Sequence, residues 1–209
     1  MAGNNRTNRL NNQTLGINIL RRLIMAAIMM AAGILPLAAA PDDGDFVPTA
    51  AQKGVRTSTD VILVALPAAA LATTIIEHDW EGLKEGAISA AVTVGATLAL
   101  KYAVKETRPD FSNRHSFPSG HASVTFAAAT FIGKRYGWKY SIPAYALSAY
   151  TAWGRVYGKK HHWWDVAAGA AIGAASSFIF THPYMKKHEV ALVPVAGDDY
   201  AGVLLNFEF

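Results

Sequence analysis

The sequence predicts an all-α protein, a bundle of about six helices of the kind that crosses a membrane. Three observations predict it. Apolar segments rich in Ala, Val and Leu recur along the chain, and their length and small-residue spacing read as helices. Hydrophobic residues make up 52% of the 209 positions and charged residues 16%, which is more apolar and less charged than an ordinary soluble domain. The Lys and Arg residues gather in short clusters between the apolar segments.

The chain is polar as far as Arg22, and Leu23 to Ala40 then runs LIMAAIMMAAGILPLAAA. That stretch reads either as a secretory signal peptide, with Ala38-Ala39-Ala40 as a small-residue cleavage site, or as a first membrane helix. Either one sends the next part of the chain across a membrane. Pro41 to Asp60 is acidic and turn-like, with PDDGD at its start. Val61 to Ile76 is the next apolar segment, with Pro67 as an expected kink. Gly86 to Val104, Ala122 to Ile132, Ser141 to Trp153 and Val166 to Phe180 complete the helical set. The tail changes character: VALVPV, AGDD and YAGVLLNFEF read as two strands around a turn. The expected division is an N-terminal segment 1–40, an acidic loop 41–58, a core 59–181 and a tail 182–209.

Several apolar segments are shorter than the roughly 20 residues of a span, so a soluble helical bundle is the competing reading. The charges favour the membrane. With Arg21 and Arg22 in the cytoplasm and every segment crossing, the loops Lys134 to Lys139 and Tyr184 to His188 also fall inside, and acidic Pro41 to Asp60 falls outside. The loops Lys105 to Gly120 and Gly154 to Trp164 fall outside together. The formal charge of +4 fits an anionic substrate or lipid better than nucleic acid, because the cations form no continuous stripe. With no cysteine, disulfides, thiolate metal sites and a Cys nucleophile are excluded.

Three short stretches hold the polar residues that the apolar segments lack. In KYAVKETRP, Lys101 and Arg108 are seven positions apart, on one face of a helix if the helix continues, with Pro109 ending it. In FPSGHAS, a Pro118-Ser119-Gly120 turn precedes an Ala-rich helix whose first N–H groups are free to bind an anion. In GRVYGKKHHWWDVAAG, His161 and Asp165 are four apart at the start of the last helix, on one face. Each has a bland alternative: a snorkelling Lys101, an Arg108 that merely ends a helix, a PSGH turn, and a surface pair or half a metal site for His161 and Asp165. His78, His115, His162, His182 and His188 read as loop or interface residues, and Trp163 and Trp164 as interfacial anchors. Taken together, the cations, histidines, carboxylate and Ser-Gly turn match what a phosphoryl group requires. Its transition state spreads negative charge over three equatorial oxygens, and a neutral histidine is a good nucleophile at phosphorus.

The pattern Lys101…Arg108-Pro109, then Pro118-Ser119-Gly120-His121, then Arg155…His161…Asp165 resembles the type 2 phosphatidic acid phosphatase (PAP2) superfamily. With flanking helices the similarity extends from about Thr59 to Phe180. One position departs from the pattern: the family usually has Ser before the third-motif Arg, and this chain has Gly154. The resemblance implies a PAP2/haloperoxidase-like core and hydrolysis of a lipid-linked phosphate monoester or pyrophosphate, with no metal or cofactor. It implies that His161 attacks phosphorus, that Asp165 orients it, and that His121 protonates the leaving group and then activates water. Lys101, Arg108, Arg155, Ser119 and Gly120 would hold the phosphate. The implied setting is a bacterial inner membrane with the site on the periplasmic side. The rivals are a secreted broad-specificity acid phosphatase of the same superfamily, a lipid phosphotransferase, a vanadium haloperoxidase, and a non-catalytic binder of lipid phosphates.

Overall fold

The structure, a computed structural model, describes residues 46–184 and the backbone of 190–197 and 200–207. Among the described residues five helices follow one another: α1 (Ala50–Ile76), α2 (Trp80–Ala103), α3 (Gly120–Tyr136), α4 (Trp138–Tyr157) and α5 (Trp163–Phe180). A C-terminal antiparallel hairpin pairs β1 (Val190–Gly197) with β2 (Tyr200–Phe207), so the expected two strands around a turn are present. The expected first apolar helix, Leu23 to Ala40, lies outside the described residues.

Local chemistry sets the helix ends. Thr49 accepts a hydrogen bond from the Gln52 N–H at 3.2 Å, and the Gln52 side chain accepts from the Thr49 N–H at 3.0 Å. This capping box starts α1 at Ala50, inside the stretch expected to be a turn-like loop. The α-helix also runs unbroken through Pro67. Asp79 caps α2 through the Gly82 N–H at 2.9 Å. Ser119 caps α3, and Gly137, at φ 108°, takes the positive φ that turns α3 back into α4. Helix α2 stops at Ala103, with Val104 extended, so Arg108 stands in the following loop. Lys101 and Arg108 therefore do not share a helical face as expected, because the helix does not reach Arg108. Likewise α5 begins at Trp163, so His161 precedes the helix and does not share a helical face with Asp165.

Helix α3 is the centre, packed against all four others. Its neighbours are small. A Cβ on Gly169 or Gly173 of α5 would collide with the Ser119 or Ser123 carbonyl oxygen of α3, so these two helices meet backbone to backbone. Glycines four apart are the standard means of such close approach in membranes. Hydroxyls bridge the remaining gaps. Ser89 and Ser177 share a 2.6 Å hydrogen bond, Ser177 donates to the Ala127 carbonyl at 2.8 Å, and Thr97 donates to Ser123 at 3.0 Å. The larger apolar side chains point outward: Val61, Ile142, Phe178 and Ile179 are exposed, as are Trp138, Tyr140 and Trp153. A polar, small-residue interior inside an apolar surface suits lipid as solvent. Helices α1, α2 and α5 are long and apolar enough to cross a membrane.

The helices alternate in direction, so the bundle has two chemically different ends. At one end Arg135 donates to Asp79 at 2.5 and 2.7 Å and to Glu85 at 3.1 Å, and Tyr136 donates to Asp79 at 2.9 Å. Arg135, expected as a loop cation, is thus buried in an ion cluster joining α2 to α3. Lys134 donates to the Phe178 carbonyl nearby. At the other end lie the loops between α2 and α3 and between α4 and α5. These two loops were expected on one face, and they meet there.

Gly173→Val should force α5 away from α3 at the tightest contact in the bundle. A cost of about 1–3 kcal/mol or more is expected, read as a lower unfolding temperature in detergent. An unchanged unfolding temperature would contradict the close approach.

Candidate active site

The site forms where the N-termini of α3 and α5 come together. The Ser119 N–H donates to the Asp165 carbonyl at 2.9 Å, tying the cap of α3 to the first turn of α5. The Asp165 carboxylate is fully buried and accepts from the Ser116 hydroxyl at 2.5 Å and the His162 N–H at 2.8 Å, both through Oδ2. His161 Nδ1 faces the same oxygen at 3.4 Å. That distance is long for a hydrogen bond, and such contacts commonly tighten only when substrate is bound. His161 itself is 2% exposed. Burial, which disfavours the imidazolium, pushes its pKa well below 6.5, against the pull of Asp165, and the positive charges of Arg108, Arg155 and Lys101 push the same way. The ring is therefore neutral at pH 7, with its lone pair free.

All three expected cations act on that ring, and each is buried. Lys101 donates to the carbonyls of His115 at 2.9 Å and Pro118 at 2.8 Å, which fixes the loop before α3 and leaves one ammonium N–H. Arg108 donates through Nε to Asn113 at 2.9 Å. Arg155 donates through Nη1 to Asp60 at 3.0 Å and to Thr59 at 3.4 Å, while its Nε is buried without a partner. A buried guanidinium N–H without an acceptor is costly unless a ligand supplies one. Ser119, also expected at the phosphate, is fully buried, and its oxygen caps the Ala122 N–H at 3.4 Å. The N–H groups of Gly120 and His121 in the first turn have no intrahelical partner.

His121 stands at this end of α3, and its Nε2 lies 2.7 Å from Asp60 Oδ1. Gly154 has a packing reason. A Cβ there would lie 2.6 Å from Thr59 Cγ2 and 3.0 Å from Val55 Cγ1, so α1 excludes the serine that the family pattern leads one to expect. The Thr59 hydroxyl from α1 reaches Arg155 instead.

Several site residues were missed in the sequence. Ser116, which orients Asp165, differs from many loop serines in nothing that composition shows. Thr59 and Asp60 fell at the boundary between the acidic stretch and the expected core and were given no role, although the Thr49-x-x-Gln52 capping signal announces the helix that presents them. Asp110 accepts from Lys160 at 2.7 Å and Arg56 at 3.1 Å, a buttress behind Arg108. Glu106 accepts from Trp164 Nε1 at 2.7 Å, so Trp164 is more than an exposed anchor.

Glu106, His162 and Asp165 bring ligand atoms within 4.8 Å of one another, a set that a metal ion could use. Of these atoms, Asp165 Oδ2 already accepts from Ser116 and the His162 N–H, while Asp165 Oδ1 and His162 Nδ1 are buried without a partner. Burial, aided by the neighbouring Asp165 and opposed by the Trp164 hydrogen bond, raises the pKa of the Glu106 carboxyl.

A helical bundle with three buried cations around a neutral histidine is equipped to handle phosphate. The PAP2 superfamily model matches residues 85–189, and the chain belongs to that superfamily. It is accordingly a phosphatase, a phosphoric monoester hydrolase set in a membrane. It is 32% identical to the lipid A 4′-phosphatase of Helicobacter pylori over 152 residues, 68% of this chain and 76% of that one. It is 35% identical to the lipid A 1-phosphatase of Porphyromonas gingivalis over 94 residues, 44% of this chain but only 21% of that relative. The crystal structure of a transmembrane PAP2-type phosphatidylglycerolphosphate phosphatase from Bacillus subtilis matches with a TM-score of 0.49 at 21% identity, over 82% of this chain and 90% of that chain.

The buried His161 sets a pH expectation. Its folded pKa is depressed, so protonation quenches the ring only well below pH 6.5. If turnover needs the neutral form of His161, the acid limb of kcat should lie clearly below 6.5. A limb at or above 6.5 would contradict that role for His161.

Proposed function

We propose that this protein hydrolyses a phosphate monoester or pyrophosphate carried on a lipid, through a phosphohistidine on His161 and without a metal. The observation that carries the reading is the neutral, buried His161 set on Asp165 among Lys101, Arg108 and Arg155. In the first half-reaction the His161 Nε2 lone pair attacks phosphorus, the bond from phosphorus to the lipid oxygen breaks, and His121 gives its proton to the leaving alkoxide. Asp165, held by Ser116, supports the charge that develops on the ring. In the second half-reaction His121 takes a proton from water, the oxygen attacks phosphorus, and the P–N bond breaks to free phosphate and His161. Lys101, Arg108, Arg155, the Ser119 hydroxyl and the Gly120 N–H hold the equatorial oxygens throughout.

A lipid substrate is favoured because the site lies at the end of an apolar-faced bundle, where a headgroup at the interface would meet it. The names of the two curated relatives make a lipid A phosphate a leading candidate. The cationic loop Lys134 to Lys139 at the far end, and the basic sequence that follows Tyr184, favour the cytoplasm for that end and so support a site on the periplasmic side of an inner membrane. The exposed apolar faces favour this arrangement over the secreted soluble phosphatase.

The test is phosphate release by detergent-purified protein from a lipid monoester, a lipid pyrophosphate and a soluble monoester, with EDTA throughout. Wild type should release phosphate in EDTA, and Lys101→Ala should lose about 10²–10³ in kcat, the loss typical of one oxyanion donor. Inhibition by EDTA that a divalent metal reverses would return Glu106, His162 and Asp165 to a metal-binding role. A wild-type rate in Lys101→Ala would mean that the phosphate lies elsewhere.

A further inference from the structure

We infer that Asp60 is a positioning residue for the phosphatase reaction, joining the proton donor His121 to the phosphate-binding Arg155. The inference rests on the roles proposed above for those two residues. Asp60 lies outside the stretch 85–189 that the family model matches, and none of the three sequence motifs includes it.

The geometry is specific. One carboxylate oxygen, Asp60 Oδ1, lies 2.7 Å from His121 Nε2 and 3.0 Å from Arg155 Nη1. These partners come from α3 and α4, so α1 brings one anion to a functional group on each. Arg155 turns its Nη1 edge toward α1, to Asp60 and Thr59, and its Nε is left buried without an acceptor. A phosphate oxygen would complete it. Asp60 thus fixes which edge of the guanidinium remains for substrate.

For His121 the same contact selects the nitrogen. With Nε2–H donating to Asp60, Nδ1 is the atom that exchanges a proton with the reaction. In the first half-reaction Nδ1–H passes its proton to the alkoxide as the P–O bond breaks, and the Asp60 carboxylate works against the burial and the Arg155 charge that oppose the imidazolium. In the second half-reaction Nδ1 takes a proton from the attacking water, restoring the imidazolium. Asp60 keeps its charge throughout, as the carboxylate beside an acid–base histidine generally does.

Asp60 is not needed to hold α1 in place. The Gln52 side chain donates to the Tyr157 carbonyl at 3.1 Å, Arg56 Nε donates to the Gly158 carbonyl at 2.8 Å, and Ser58 and Tyr150 share a 2.8 Å hydrogen bond. The Asp60 side chain is 51% exposed, so Asn at this position can be solvated. A purely structural role would therefore be redundant, which makes the chemical role testable.

The test uses two leaving groups. Nitrophenolate departs without a proton, whereas the alkoxide of a short-chain phosphatidic acid needs one. Asp60→Asn should lower kcat on phosphatidic acid about tenfold to a hundredfold, within the usual range for acid–base assistance, and lower it much less on p-nitrophenyl phosphate. Asp60→Glu should recover part of the loss, and the unfolding temperature of Asp60→Asn should stay near wild type. His121→Ala is the reference and should show the same split between substrates. Equal losses on both substrates in Asp60→Asn, or no loss on either, with the split intact in His121→Ala, would overturn the Asp60 inference alone. Equal losses in His121→Ala would remove the proton-donor role from His121 and the Asp60 inference with it.

Discussion

Gly169 and Gly173 let α5 lie directly against the backbone of α3, and the site depends on that contact. Both helices begin at the same end of the bundle, so their close approach brings two helix N-termini together. The Ser119 N–H then reaches the Asp165 carbonyl, and the Asp165 carboxylate reaches back to the loop through Ser116. A side chain at either glycine would part the helices and separate the first turn of α3, with its free N–H groups, from His161. Packing and chemistry are therefore the same constraint seen at two scales.

The second constraint is the cost of burying charge. Lys101, Arg108 and Arg155 are all withdrawn from water, and such groups persist only when paired or hydrogen-bonded. Each is partly satisfied: Lys101 by two carbonyls, Arg108 by Asn113, and Arg155 by Asp60 and Thr59. None of these bonds uses every N–H the cation carries. In the proposed mechanism the remaining donors, above all the orphaned Arg155 Nε, would give an incoming phosphate dianion partners that are already desolvated and fixed. Preorganisation of this kind acts mainly in the transition state, because no dipole has to turn as charge develops. The depressed pKa of His161 has the same origin, since burial among cations keeps the ring neutral.

The helical class and the meeting of the two polar loops were legible because hydropathy and loop charge are local in sequence. The motif residues were legible because their chemistry is rare at helix ends in an apolar chain. What the sequence did not expose depends on where helices stop and what they touch. Spacing alone put Arg108 on the face of Lys101 and His161 on the face of Asp165. In the structure α2 ends at Ala103 and α5 starts at Trp163, so loop conformation makes both associations instead. Asp60 was hidden because it closes the acidic stretch that PDDGD opens, which looks like solvent-facing loop. Only the fold of α1 against α4 turns it toward Arg155. Gly154 looked like a lost hydroxyl until Thr59 was found against it.

The proposed mechanism turns on a covalent bond between phosphorus and His161. The direct measurement is to quench enzyme mixed with a ³²P-labelled lipid phosphate and to measure label on the protein. The mechanism predicts label that is stable in base and lost in acid, as a phosphoramidate is, present in wild type, enriched in a variant slowed in the second half-reaction, and absent from His161→Ala. Label that persists in His161→Ala, or turnover by that variant near the wild-type rate, would contradict it.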